Sequence, residues 1–259
     1  MLTLTQGQLE AWLAQYFWPF ARIAACIMVA PVFGARFVPA RFKIALAGAI
    51  ALLVAPLLTP PADVLPLSGA GIVITVQQLL IGFAMGFVLQ LIFDSLAMGG
   101  QLLANSMGLS FAFNIDPLRG ASTPVVGQLY MLLVTLTFLA LNGHLALLET
   151  LVQGFRTMPI GTSSFDEHAL WQVVSWGQQL FDGALAVALP GMTALLIVNL
   201  GFGVMSRAAP SLNMFAVGFP ISLVFGMVIV LLGLPTVQSS FTLLFDNALR
   251  FLRVLLGGG

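Results

Sequence analysis

The sequence predicts an all-α, polytopic membrane-type protein built of kinked helices and hairpins, and three observations carry that prediction. Of its 259 residues, 59% are hydrophobic and only 7% charged, where soluble domains carry about 25% charged residues. So few charges cannot cover a soluble surface, so the solvent of this chain is lipid or other apolar protein. Apolar residues collect into six stretches, roughly 12–34, 42–58, 71–93, 129–152, 184–204 and 212–235, and a helix needs about 20 such residues to cross a ~30 Å hydrocarbon core. Prolines and polar side chains interrupt most of these stretches. Freed backbone groups and polar side chains need partners, which implies bent helices packed against protein rather than straight rods in lipid.

The first stretch holds Pro19, Arg22 and the single cysteine, Cys26. A lone thiol in an apolar run reads as buried and inert. Arg22 reads as snorkelling or paired inside a protein interface, with Asp94 as one candidate partner; the alternative is that it lines a polar path. The residues before this stretch include Glu10 and no Lys or Arg, so the expectation is an uncleaved insertion signal. The second stretch is short, uninterrupted only over 44–58. Between the two, loop 35–43 carries Arg36, Arg41 and Lys43, the only basic cluster before residue 200, which places it in the cytoplasm. Loop 59–71 has Asp63 and no base, which suits the outer side.

Gln77, Gln78 and Gln90 sit in the third stretch, whose GFAMG at 82–86 permits close helix approach. Asn142 and His144 mark the fourth, Pro190 and Asn199 the fifth, and Pro220 the sixth. Two further helices read as amphipathic. Segment 164–183 opens with Ser164 and Glu167 spaced as a capping box, and its Leu170, Val173, Val174, Gly177, Leu180 and Phe181 share a face. Near the C-terminus, Phe241, Leu244, Phe245, Ala248 and Leu252 form an apolar stripe opposite Asp246, Arg250 and Arg253, with Asp246 placed to pair with Arg250 one turn on. Strict alternation puts Arg207 inside and the C-terminus outside, against the pull of Arg250 and Arg253. Either one stretch does not cross, or the topology is unconventional.

The charges exclude some function classes. Nine basic and nine acidic residues balance, so nothing tracks a phosphate backbone and no nucleic acid is expected. His144, Glu149, His168, Asp166 and Glu167 lack the HExxH spacing, so no metal site is expected. There is no GxSxG and no GxxxxGK, so no catalytic residue, nucleotide or other cofactor is assigned. His144 reads as a packed polar residue. An intramembrane enzyme using it is the rival reading. The chain reads as a single domain over 1–259.

One segment does not belong to the apolar runs. Residues 105–128, NSMGLSFAFNIDPLRGASTPVVGQ, are rich in Gly, Ser, Asn and Pro, yet Met107, Leu109, Phe111, Phe113 and Ile115 alternate with smaller or polar residues. This is near period two, so the strip can be extended with one apolar side. Gly108 and Gly120 permit unusual backbone angles, and Asp116-Pro117 favours a turn. On the residues alone, an ordinary loop whose phenylalanines pack on neighbouring helices remains open.

Four motifs in order give a family resemblance: LAQYFWPFARIAACIMVAPVFGARFVPARFKIALA at 13–47, MGLSFAFNIDP at 107–117, LNGHLALLETLVQGFRTMPIG at 141–161 and NLGFGVMSRAAPSLNMFAVGFP at 199–220. Together they resemble the FliR/SctT family of export-gate subunits, over nearly the whole chain, with the flagellar branch favoured over the injectisome one. The resemblance implies a non-enzymatic subunit of a helical hetero-oligomeric channel for unfolded flagellar proteins. Its implied partners are FliP-like and FliQ-like subunits, a FlhB-type switch protein at the cytoplasmic entrance and rod proteins above. It implies a place in the bacterial inner membrane and flagellar basal body, raised towards the periplasm when assembled. It also implies that loop 105–128 projects into the channel and closes it, through Met107, Gly108, Leu109, Phe111, Phe113, Ile115, Asp116 and Pro117. The residue types suit that task, since hydrophobic constrictions gate by dewetting and methionine adapts its shape. The alternative is an autonomous small-solute transporter, which would need a mid-membrane site between two related halves; no such halves are visible.

Overall fold

The computed structural model describes residues 6–58, 64–109, 125–161, 165–208 and 214–257. The chain runs α1 (Gln6–Val29), α2 (Ala40–Val54, continued by a 3-10 turn Ala55–Leu57), α3 (Gly69–Ser106), α4 (Val125–Ala140), α5 (Gly143–Thr157), α6 (Glu167–Trp176), α7 (Gln178–Ala208) and α8 (Met214–Leu255). No strand occurs among the described residues, and the all-α membrane-type expectation holds. Among them, Ala40–Leu57, Gly69–Ser106, Glu167–Ala208 and Gly218–Leu255 are long and apolar enough to cross a membrane. The pair α4 and α5 qualifies only jointly, bent by 64°. α1, which carries Gln15, Pro19 and Arg22, is not in this set.

Several boundaries differ from the sequence reading. The third stretch does not stop near 93; α3 continues to Ser106 as a 38-residue helix. The sixth stretch and the C-terminal amphipathic helix are one 42-residue helix, with Pro220 and Pro235 inside it. Each proline removes one N–H from the ladder, yet the helix continues through both. The fourth stretch is the broken one. Asn142 takes a left-handed conformation at φ 54 between α4 and α5, a backbone that Asn tolerates better than most residues. The predicted helix 164–183 is divided at Gly177, whose N–H turns to Val174 O three residues back at 3.0 Å. Its cap is Asp166 rather than Ser164: the Asp166 carboxylate accepts from the Ala169 N–H at 2.9 Å, and Ser164 lies outside the described residues.

The chain forms two compact units. The first contains α1, α2, α3 as far as Gln90, α5, α6 and the chain from Asp246. Trp18, Ile23, Cys26 and Ile27 of α1 are buried there, as are Ile81, Met85 and Leu89 of α3. The two helices meet through the GFAMG glycines. Gly82 lies against the Arg22 carbonyl, and a Cβ on Gly86 would sit 2.7 Å from Cys26 O. The close approach expected of this pair is therefore present, and side chains at either position would force the helices apart. Trp18 Nε1–H donates to Thr75 Oγ1 at 3.2 Å.

The second unit contains α3 from Leu91, α4, α7 and α8 as far as Phe245. Its centre is aromatic. Phe93 meets Phe138 and Phe241 edge to face at 5.4 and 5.5 Å, and Phe138 meets Phe245 in the same way at 5.6 Å. Such pairs contribute about 0.5–1.5 kcal/mol each beyond their burial. Asn199 of the fifth stretch finds its partner on α8, accepting from Ser222 Oγ at 2.8 Å. Along α8, all of the predicted stripe (Phe241, Leu244, Phe245, Ala248, Leu252) is buried.

Candidate functional site

The segment singled out in the sequence hangs from a described frame in the second unit. α3 ends in a Schellman motif: Leu109 N–H reaches back to Ala104 O at 3.1 Å, Gly108 N–H reaches Asn105 O at 3.0 Å, and Gly108 sits at φ 82. Only glycine takes that angle without strain, so Gly108 fixes where the helix stops. Met107, one residue earlier, is 1% exposed. Its Cγ, Sδ and Cε fill the space beside Gly226 of α8, where no Cβ fits. Leu109 is half-buried. Phe111, Phe113, Ile115, Asp116 and Pro117 lie outside the described residues.

The return end is fixed as well. Gly127 in the first turn of α4 packs on Ala97 O and the Gln101 side chain, and a Cβ on Gly100 would sit 2.8 Å from Gly127 Cα. Val126 beside it is buried. The last turns of α3 are thus enclosed by backbone on α4, α7 and α8, with Gly183 against Ser95 and Gly191 against Leu103. Gly226, Gly127 and Gly191 were not marked in the sequence. An isolated glycine in an apolar helix is the only local signal they give.

Arg22 sits in the first unit, fully buried. Its Nε donates to Gln78 Oε1 at 2.7 Å, and its two terminal nitrogens donate to Gly154 O and Met158 O at 3.0 and 2.9 Å. The guanidinium also lies 4.2 Å over the Phe155 ring. The partner is Gln78 and not Asp94, and the rest of the shell is backbone at the C-terminal end of α5. Helix C-terminal carbonyls lack partners and carry partial negative charge, so a buried cation is satisfied there without a carboxylate. The arrangement pins α5 to α1 and α3. Gln78 Nε2, His144 Nδ1 and Trp176 Nε1 are buried atoms without a hydrogen-bond partner among the described residues.

His144 is half-buried at the start of α5. Glu149 bonds Gln153 at 3.1 Å, and His168 pairs with Gln172 at 3.0 Å, both on the exposed surface. No group of three or more His, Cys, Asp or Glu side chains gathers among the described residues.

A fold of long apolar helices, with a fixed frame for one polar-apolar segment, has a counterpart among known sequences. Residues 13–248 match the bacterial export proteins, family 1, and the chain belongs to that family. It is 39% identical over 257 residues to the flagellar biosynthetic protein FliR of Pectobacterium carotovorum subsp. carotovorum, covering 99% of this chain and 98% of that one. It is 38% identical over 252 residues to FliR of Escherichia coli (strain K12), covering 97% and 96%. The FliR of Bacillus subtilis (strain 168) is 25% identical over 240 residues, 92% of each chain.

Proposed function

We propose that this chain is a non-enzymatic subunit of a flagellar protein-export gate in the bacterial inner membrane. In this reading it forms, with FliP-like and FliQ-like subunits, the pore for unfolded flagellar proteins, with a FlhB-type protein at the entrance and rod proteins above. Residues 107–117 close that pore. The observation that carries the reading is the frame just described: both ends of the segment are tied to glycine-lined backbone in one compact unit. The residues 110–124 between these ends extend at most about 3.5 Å each, so out and back they reach about 25 Å. Met107 anchors the strip, and Leu109, Phe111, Phe113 and Ile115 supply the apolar cross-section.

The outer helices fit a subunit better than a monomer. The most apolar windows of Ala40–Leu57, Glu167–Ala208 and Gly218–Leu255 are each only 22% buried, against 50% for α3. Prolines and polar side chains on such faces find partners in neighbouring subunits more readily than in lipid.

The test is deletion of 110–121, or Phe111→Gly with Phe113→Gly, in the assembled complex. The expected result is ion leakage across the inner membrane with assembly intact. Unchanged impermeability in both variants would falsify the closing role. Co-extraction of the chain with other small hydrophobic proteins is expected alongside. A chain that purifies as a stable monomer with transport of its own would overturn the subunit reading.

A further inference from the structure

We propose that the α1–α2 hairpin binds an anionic phospholipid, with its phosphate against Arg36 and Arg41 and an acyl chain along the groove between the two helices. The inference does not depend on the gate reading. The groove holds about 500 Å³ and is lined by Trp12, Tyr16 and Phe20 of α1 and Gly48, Ala51 and Leu52 of α2. That volume lies in the range of small-ligand clefts, about 300–1,000 Å³. Its lining offers almost no polar surface. A peptide laid there would leave its N–H and C=O groups without partners, whereas an acyl chain has none to satisfy. Gly48 keeps the groove open, since a Cβ there would meet no atom within 4 Å.

Charge supplies the other half of the ligand. Arg41 precedes Gly48 by one heptad and Leu52 by three turns on the same helix. At about 100° per residue Gly48 and Leu52 each lie within about 20° of Arg41 around the helix, and Arg41 lies about 10 Å before the groove. Arg36 and Arg41 are exposed, and no Asp or Glu occurs between Glu10 and Asp63. Phe37, 84% exposed, and Phe42, under the Arg41 guanidinium at 5.3 Å, stand beside them. Aromatic and basic side chains together at a hairpin tip suit the headgroup layer.

The tip is held in one shape. Val32 takes φ 68, and Phe33 N–H closes a γ-turn onto Pro31 O at 2.8 Å, a strained form for a β-branched residue. Gly34 has no room for a Cβ, which would sit 2.6 Å from Met28 O. Lys43 Nζ donates to Gly34 O at 2.8 Å. Lys43 is therefore committed to the loop, while Arg36 and Arg41 face outward as the phosphate-binding pair.

Trp12 reports on the groove. The full chain, with the subunits that extract with it, is reconstituted into phosphatidylcholine vesicles containing either brominated phosphatidylglycerol or brominated phosphatidylcholine in equal proportion. The Trp12 signal is the difference between the unchanged chain and Trp12→Phe. Brominated phosphatidylglycerol is expected to quench it preferentially, by about fivefold for each arginine engaged. Arg36→Gln with Arg41→Gln abolishes the preference, the corresponding lysine pair retains it, and Gly48→Leu reduces quenching by both lipids. Equal quenching by the two lipids, a preference that survives the glutamine pair, or no quenching of Trp12 by either lipid overturns the proposal.

Discussion

Arg22 in the first unit and Met107 in the second are both buried, at 0% and 1% exposure, and both secure the C-terminal end of a helix. They do so by opposite means. Arg22 takes the last carbonyls of α5 in directional, charge-assisted hydrogen bonds and adds an amide from α3. The Met107 thioether instead lies in the notch left by Gly226, held by packing. A buried charge must keep its full set of partners, because losing one exposes the whole desolvation penalty. A methionine in a notch loses only dispersion contacts when it moves, and it repacks readily. The first arrangement fixes a helix end in place. The second holds one until something pushes. On the proposed gate reading, that difference suits a segment after Met107 that has to yield and a frame around Arg22 that does not.

The largest effect is expected at the rigid end. Arg22→Ala leaves Gln78 Oε1 and Met158 O without their donor, while Gly154 O keeps the Met158 N–H; at about 1–3 kcal/mol for each orphaned acceptor the loss is about 2–6 kcal/mol. The apparent Tm of the detergent-extracted protein should fall steeply, and amide exchange around 154–158 should rise. Arg22→Lys should recover less than half, since one ammonium cannot span three acceptors in the guanidinium's fixed fork. An unchanged Tm in Arg22→Ala would break the comparison, because Arg22 would then hold nothing.

At the yielding end the readout changes from stability to permeability. Gly226→Val should push Met107 from its seat at a cost of about 1–3 kcal/mol, the usual range for overpacking. On the gate reading, ions should leak while the complex still assembles. Met107→Leu conserves volume and should stay near the parent, within about 1.5 kcal/mol. Gly226→Val combined with Met107→Ala should recover stability, because the smaller side chain vacates the space the valine needs. A double mutant no better than Gly226→Val alone would show that the two residues are not coupled, and the contrast with Arg22 would lose its second half.

What the sequence revealed follows from how local each signal is. The stripe from Phe241 to Leu252 was legible because helical periodicity repeats within one element, and every member is buried. The GFAMG pair was legible for the same reason. Arg22 was legible as a packed polar residue, but its partners were not. Two of them are backbone carbonyls, which leave no mark in residue identity, and Asp94 was proposed because it carried the expected charge. The seat of Met107 was illegible because Gly226 lies far along the chain and looks like any glycine in an apolar helix. The break at Asn142 was visible as polarity in a stretch read as bent, but its exact place was not, since the left-handed angle belongs to one residue's backbone. The sixth stretch reads as ending at 235, yet α8 runs on through Pro235 to Leu255.

The smallest effect is the most useful for separating hydrogen bonding from burial. Asp166 also secures a helix end by a charge-assisted bond, to Ala169 N–H at 2.9 Å, but it is exposed, and α6 buries only Ala169 and Val173. In Asp166→Ala, water replaces the carboxylate at the freed N–H, so the cost should be about 1 kcal/mol, the typical value of an N-cap. Faster amide exchange should be confined to the first turn of α6, with the Tm nearly unchanged. The larger loss at Arg22 would then have two sources, three bonds against one and the exclusion of water that could replace them. If Asp166→Ala matched Arg22→Ala in Tm, burial would not be the deciding variable, and the rigidity assigned to the Arg22 frame would need another source.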